Sequence, residues 1–185
     1  MTRLAINHTI HCKDEKATAK AVQMLANAIL AFYASTPEKP QSLFMSLNGD
    51  LGAGKTTATR YLLQAMGYPG KVKSPTYSLC EEHILDLPKQ ALHVFHFDLY
   101  RMQSPEEWVD AGLLEHFTHS EYPTLCIIEW PEKAEHTLPT MDLAITLIHP
   151  NEGKSELART VQIQAQTPRG EAILQSLSTQ SSKNP

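Results

Sequence analysis

Cysteine is scarce in this chain: Cys12, Cys80 and Cys126 are odd in number, widely spaced and form no C-x-x-C pair. That set speaks against a disulfide framework and for a reducing compartment, so a cytoplasmic protein is expected. No apolar run reaches transmembrane length, and the start, MTRLAINHTI, lacks the apolar segment of a signal peptide. Arginine is also sparse, at five residues, and the net charge is −4. The chain therefore exerts no general attraction on nucleic acid or an anionic membrane, and any RNA contact has to be local or supplied by a partner. There is no internal repeat and no N-K-x-D guanine-reading motif.

What is present suffices for one globular domain: 185 residues, 42% of them apolar and 19% charged. The domain is expected over 1–178, with a polar, frayed tail at 179–185. Residues 3–10 read as a strand. From Asp14 to Tyr33 the apolar residues Ala17, Ala21, Met24, Leu25, Ala28, Ile29 and Phe32 recur at helical spacing behind an aspartate cap. A polar, proline-containing loop (35–41) precedes a buried strand from Ser42 to Asn48 and a helix from Lys55 to Met66. The breaker-rich 67–73 turn leads to two strand-like runs, 76–85 and 91–97, around DLPKQ. Ser104-Pro105-Glu106-Glu107 reads as a serine-capped helix start. Thr124–Glu129 has the continuous apolar character of a buried strand. The runs 141–148 and 157–165, separated by PNEGKSE, suggest an antiparallel pair, and 169–177 a short last helix. Strands alternating with helices predict an α/β sandwich.

The stretch SLNGDLGAGKTT carries the strongest chemical signal. Gly49, Gly54, Lys55 and Thr56 satisfy G-x-x-x-x-G-K-[ST], between a predicted strand and a predicted helix. Glycines let successive backbone N–H groups curl around one anion, and the following helix adds its positive end. Residues 49–57 (Gly49, Asp50, Leu51, Gly52, Ala53, Gly54, Lys55, Thr56, Thr57) form the expected nucleotide cradle. Lys55 would reach the β- and γ-phosphates, and the Thr56 hydroxyl would bind Mg²⁺.

A hydrolysing site of this kind needs an acid at a strand end for Mg²⁺ or its waters, and a group that orients the attacking water. Glu129 closes the run LCII, where aspartate is commoner, and Asp98 closes VFHF. Both fall at strand C-termini, where α/β sheets place their ligands. Sequence leaves open which of the two touches Mg²⁺; Glu129 is assigned to the metal, and Asp98 to the water or the metal's surroundings. The hydroxyls of Ser74 and Thr76 in Ser74-Pro75-Thr76-Tyr77 follow the first P-loop helix and could sense the γ-phosphate as a switch, against a plain proline turn. Other signals weigh less. His93 and His96 lie three apart on a strand and face opposite ways. His116 and His119 find no third ligand for zinc. Trp108 reads as core or helix surface, not as a cofactor contact. Arg60, Lys71 and Lys73 read as a solvated basic face.

Taken together, GDLGAGKTT (49–57), VKSPTYS (72–78), HFDLYR (96–101) and IEWPEK (128–133) resemble, in order and spacing, the bacterial TsaE family, also called YjeE, from about residue 10 to about 165. The resemblance implies a P-loop α/β fold: a three-layer sandwich with a mostly parallel central sheet and antiparallel additions. It also implies a cytoplasmic, Mg²⁺-dependent ATPase that acts as a switch on a TsaB–TsaD complex in tRNA threonylcarbamoyladenosine biosynthesis. The transfer chemistry would belong to the partners, and tRNA would be met through them. By motif, Lys55, Asp98 and Glu129 would serve hydrolysis, Thr56 and Glu129 the metal, Ser74, Pro75, Thr76 and Tyr77 the switch, and Trp130 would be an activity-linked aromatic. Thr18 would be an N-terminal nucleotide contact. Rival readings are a small-molecule kinase, for which no arginine-bearing lid is evident, a regulatory GTPase, and a scaffold that holds ADP structurally.

Overall fold

The computed structural model describes residues 6–35, 41–118, 121–150 and 155–181. The expectations for 3–5, for most of the 35–41 loop and the PNEGKSE turn, for His119 and for the last four residues of the tail lie outside these. Seven strands form one sheet: β1 (Asn7–Cys12), β2 (Ser42–Asn48), β3 (Cys80–Asp86), β4 (Ala91–Asp98), β5 (Thr124–Glu129), β6 (Leu143–Ile148) and β7 (Arg159–Ala165). Among the described residues five α-helices accompany it: α1 (Glu15–Ser35), α2 (Lys55–Ala65), α3 (Glu106–Asp110), α4 (Glu115–Thr118) and α5 (Pro168–Ser181). The strand order is β1-β7-β6-β2-β5-β4-β3. Strands β6, β2, β5 and β4 run parallel, and the flanking pairs are antiparallel. This is the sheet with a parallel core and antiparallel additions that the family resemblance implies.

Alternation along the buried strands sends side chains into two cores. Leu43, Met45 and Leu47 of β2 join α1, α2 and α5 on one face, while Phe44 joins Phe97, Ile128 and Trp108 on the other. Three layers result. Asp14 caps α1 by accepting the Ala17 N–H at 2.8 Å. No helix among the described residues is long and apolar enough to cross a membrane, and the three cysteines are free thiols.

Several boundaries differ from expectation, among them the starts of β6 and β7, each two residues later than the runs 141–148 and 157–165 suggest. Strand β1 sits later, at Asn7–Cys12. Residues 76–79 turn instead of extending: the Leu79 N–H bonds back to the Pro75 carbonyl, and Leu79 adopts φ 61°. Helix α3 carries no serine cap; the Glu107 carboxylate instead reaches back to the N–H groups of Gln103 and Ser104, at 3.0 and 3.1 Å. Helix α5 runs on to Ser181, because Ile173, Leu174 and Leu177 are all buried and anchor it.

His83 on β3 is buried edge-on to Tyr68, and neither ring nitrogen finds a hydrogen-bond partner. Burial pushes its pKa below the ordinary 6.5; Glu81 opposes the shift and His96 adds to it. The unfolded chain therefore binds a proton near 6.5 that the folded chain takes up only at lower pH. Stability is lost as pH falls from 6.5 toward the folded value. Urea midpoints at pH 7.5 and 5.5 check this. The native chain should weaken at the lower pH, and His83→Leu should weaken less.

Candidate functional site

The loop from Gly49 to Gly54 joins β2 to α2 along the C-terminal edge of the parallel strands. Gly49 adopts φ 141°, and a Cβ there would meet the Leu147 carbonyl oxygen at 2.5 Å, so only glycine lets the loop pass the end of β6. Gly54, at φ 103°, opens α2. Arg159 donates through Nε to the Ala53 carbonyl at 2.9 Å. Across that trans peptide the Gly54 N–H points opposite to the carbonyl that Arg159 holds.

Lys55 is buried and bends back over its own loop. Its Nζ donates to the Gly49 and Asp50 carbonyls at 2.6 and 3.0 Å and lies 3.7 Å from the centroid of the Trp130 ring. Trp130 adopts the left-handed conformation, φ 60° and ψ 51°, a strained geometry for a bulky residue. Its ring also packs on Tyr100, at 4.9 Å between centroids. Burial pulls the Lys55 ammonium below the ordinary lysine range, opposed by the carboxylates of Glu129, Glu132, Asp98 and Asp50.

Asp98 and Glu129 are register partners at the ends of β4 and β5, and both are buried. Glu129 Oε2 accepts the Thr56 hydroxyl at 3.1 Å, and Oε1 lies 2.8 Å from His96 Nε2. Asp98 Oδ2 accepts the hydroxyls of Ser74 and Thr76, and Oδ1 accepts the Tyr100 N–H at 3.1 Å. Thus the two carboxylates face different elements, one the glycine-rich loop and one the SPTY segment. A cleft of about 310 Å³ opens between them, walled by the loop, Ser74, Thr76, Tyr100 and Trp130. Pro75 is buried, whereas Tyr77 is 87% exposed, with the Arg101 guanidinium against its ring.

A family model for "Threonylcarbamoyl adenosine biosynthesis protein TsaE" matches residues 12–161. The chain belongs to the TsaE family. The "tRNA threonylcarbamoyladenosine biosynthesis protein TsaE" of Haemophilus influenzae is 39% identical over 138 residues, covering 75% of this chain and 80% of that protein. The protein of the same name from Bacillus subtilis is 32% identical over 152 residues, 82% of each. The crystal structure of Bacillus subtilis YdiB shares the fold, with a TM-score of 0.68 over 97% of this chain and 99% of that one, at 23% identity.

In this TsaE-family chain the structure brings together Lys55, Thr56, Ser74, Thr76, Asp98, Glu129 and Trp130 around one cleft. Thr18 is not among them. It lines a neighbouring cavity of about 210 Å³ on the far side of the loop, with Gly52, Thr57, Tyr61, Leu157 and Arg159, and its hydroxyl donates to the Asp14 carbonyl at 3.2 Å. Sequence reasoning missed three participants. His96 was legible, because residues two apart on a strand share a face and Asp98 is two further on. Tyr100 stands two residues after Asp98, whose carboxylate accepts its N–H. Arg159 gave no signal; it is 106 residues from the carbonyl it holds.

Proposed function

We propose that this TsaE-family protein binds ATP with Mg²⁺, hydrolyses it slowly, and uses the change to switch a TsaB–TsaD complex during tRNA threonylcarbamoyladenosine biosynthesis in the cytoplasm. The observation that carries the reading is the convergence of the glycine-rich loop, Lys55 and Thr56 on the same cleft as the paired carboxylates Asp98 and Glu129. The Lys55 ammonium, held over Trp130, supplies positive charge for the β- and γ-phosphates, and the loop N–H groups supply donors. Mg²⁺ would be held by the Thr56 hydroxyl and the Glu129 carboxylate. These are hard oxygen donors of the kind that ion selects, few enough that phosphate oxygens and water complete its shell. When bound, it supplies charge that offsets the negative charge of the phosphates.

Asp98 is suited to orient the attacking water, and its bonds to Ser74 and Thr76 tie that role to the SPTY segment. A conformational change in SPTY on γ-phosphate loss would then be felt at the surface through Tyr77. The exposure of Tyr77 (87%) and Leu51 (71%) beside the cleft supports a partner covering this face. The net charge of −4 favours contact with tRNA through the partners.

Nucleotide linkage tests the reading. Mg²⁺ with ATP or ADP at about 100 times Kd adds about 2.7 kcal/mol, which for a domain of this size raises Tm by roughly 5–10 °C. GTP should compete poorly with ATP. No shift with any nucleotide would overturn the proposal.

A further inference from the structure

Glu129 occupies a position where the shorter aspartate is usual in P-loop sites, and its longer side chain brings one more rotatable bond into the cleft. Something has to remove that freedom if Oε2 is to stay beside the Thr56 hydroxyl. Among the described residues one side chain from outside the loop bonds to the Glu129 carboxylate. His96 projects from β4 with its side chain fully buried, and Nε2 sits 2.8 Å from Glu129 Oε1, itself 3% exposed. The carboxylate is thus gripped at both oxygens, by a hydroxyl of the phosphate loop on one and an imidazole of the neighbouring strand on the other.

The pattern of unpaired atoms indicates which way that bond runs. An ionised carboxylate only accepts, so the imidazole has to present its N–H at Nε2. A neutral ring then carries a bare lone pair at Nδ1, and His96 Nδ1 is the ring atom left buried without a partner. The opposite tautomer would bury an unpaired N–H at Nδ1, the rarer and costlier arrangement. The next ring, His83, lies 6.4 Å away with both nitrogens also unpaired, so it does not fix the His96 tautomer by a direct bond.

We propose that His96 is a positioning residue: its Nε2–H fixes the Glu129 carboxylate so that Glu129 and Thr56 form a rigid oxygen corner for Mg²⁺-nucleotide. The inference rests on the nucleotide reading above and adds to it the residue that orients the metal-side acid. Outer partners of this kind typically contribute 10- to 100-fold to metal affinity or activity.

Two measurements on the full chain test it. In a long-range ¹H–¹⁵N imidazole spectrum of the native protein, assigned by the signal that His96→Gln removes, Nε2 should be protonated and Nδ1 bare. This needs neither nucleotide nor turnover. The second is the gain in ATP affinity conferred by Mg²⁺, followed by calorimetry. His96→Leu should cut that gain about 10- to 100-fold. His96→Gln, whose amide N–H falls near the place of Nε2, should retain it within about threefold, and His96→Asn should not, on the same donor-position argument. In a Glu129→Ala background, His96→Leu should cost nothing further, because its effect runs through that carboxylate.

A proton on Nδ1, an unchanged gain in folded His96→Leu, or an equal loss with and without Glu129 overturns the assignment of His96 while the nucleotide site stands. A native chain that binds no ATP, or a Glu129→Ala variant with an unaltered Mg²⁺ response, overturns the nucleotide reading and this inference with it.

Discussion

Lys55→Ala is expected to lower ATP turnover by about 100- to 1000-fold, the scale on which a single preorganised group facing developing charge contributes. Among the described residues the Lys55 ammonium is the one cation lining the cleft, with two loop carbonyls and the face of Trp130 fixing it. The fold should survive the change. Gly49 is half-buried and Asp50 exposed, so water can reach the freed carbonyls and Tm should move by no more than a few degrees. Circular dichroism against temperature and a phosphate-release assay separate the two effects. A variant that folds normally and turns over ATP at the native rate would remove Lys55 from the site.

The second large effect is structural and lies at the other end of the sheet. Asp142, just before β6, is fully buried, and its carboxylate accepts the Phe44 N–H at 2.9 Å, the Thr167 hydroxyl, and Arg169 Nε at 3.1 Å. Arg169 also donates to the Ser42 carbonyl at 2.8 Å. One side chain thus ties the starts of β2 and β6 to the start of α5. The packing there is tight: a Cβ on Gly170 would stand 2.0 Å from the Asp142 carbonyl oxygen. Asp142→Ala strands a buried backbone donor and removes the anion, which costs about 3–5 kcal/mol. Arg169 is 41% exposed and can turn to water, so the low end of that range is expected. A Tm lower by roughly 6–12 °C follows for a domain of this size. Because Asp142 is remote from the cleft, nucleotide affinity measured well below Tm should be unchanged. A variant as stable as the native chain would show that the cluster does not staple the layers.

How much of this was legible in the sequence follows from how local each feature is. The glycine-rich turn between β2 and α2 was legible as a loop, because the glycine spacing, the lysine and the hydroxyl all fall within nine residues of chain. Glu129 and Asp98 were legible as strand-end acids, but their side-by-side register depends on β4 pairing with β5, which no local pattern encodes. Thr76 and Tyr77 have strand-like side chains, yet the segment turns, since the Thr76 hydroxyl is drawn to Asp98 and Pro75 accepts from Leu79. Here a tertiary bond overrides propensity. In the sequence His96 shows only as half of an H-x-x-H pair, because its partner Glu129 lies across the sheet, 33 residues on. The Asp142 cluster joins residues 98 and 27 apart in sequence to that aspartate, and it left no trace that composition or periodicity could reveal.

The measurement that bears most directly on the account is ATP hydrolysis by the purified chain, alone and with TsaB and TsaD from the same organism. The account predicts low turnover alone and clear stimulation in the mixture, with the stimulation abolished by Glu129→Ala. Brisk turnover alone that ignores both partners, or stimulation that persists in Glu129→Ala, would contradict it.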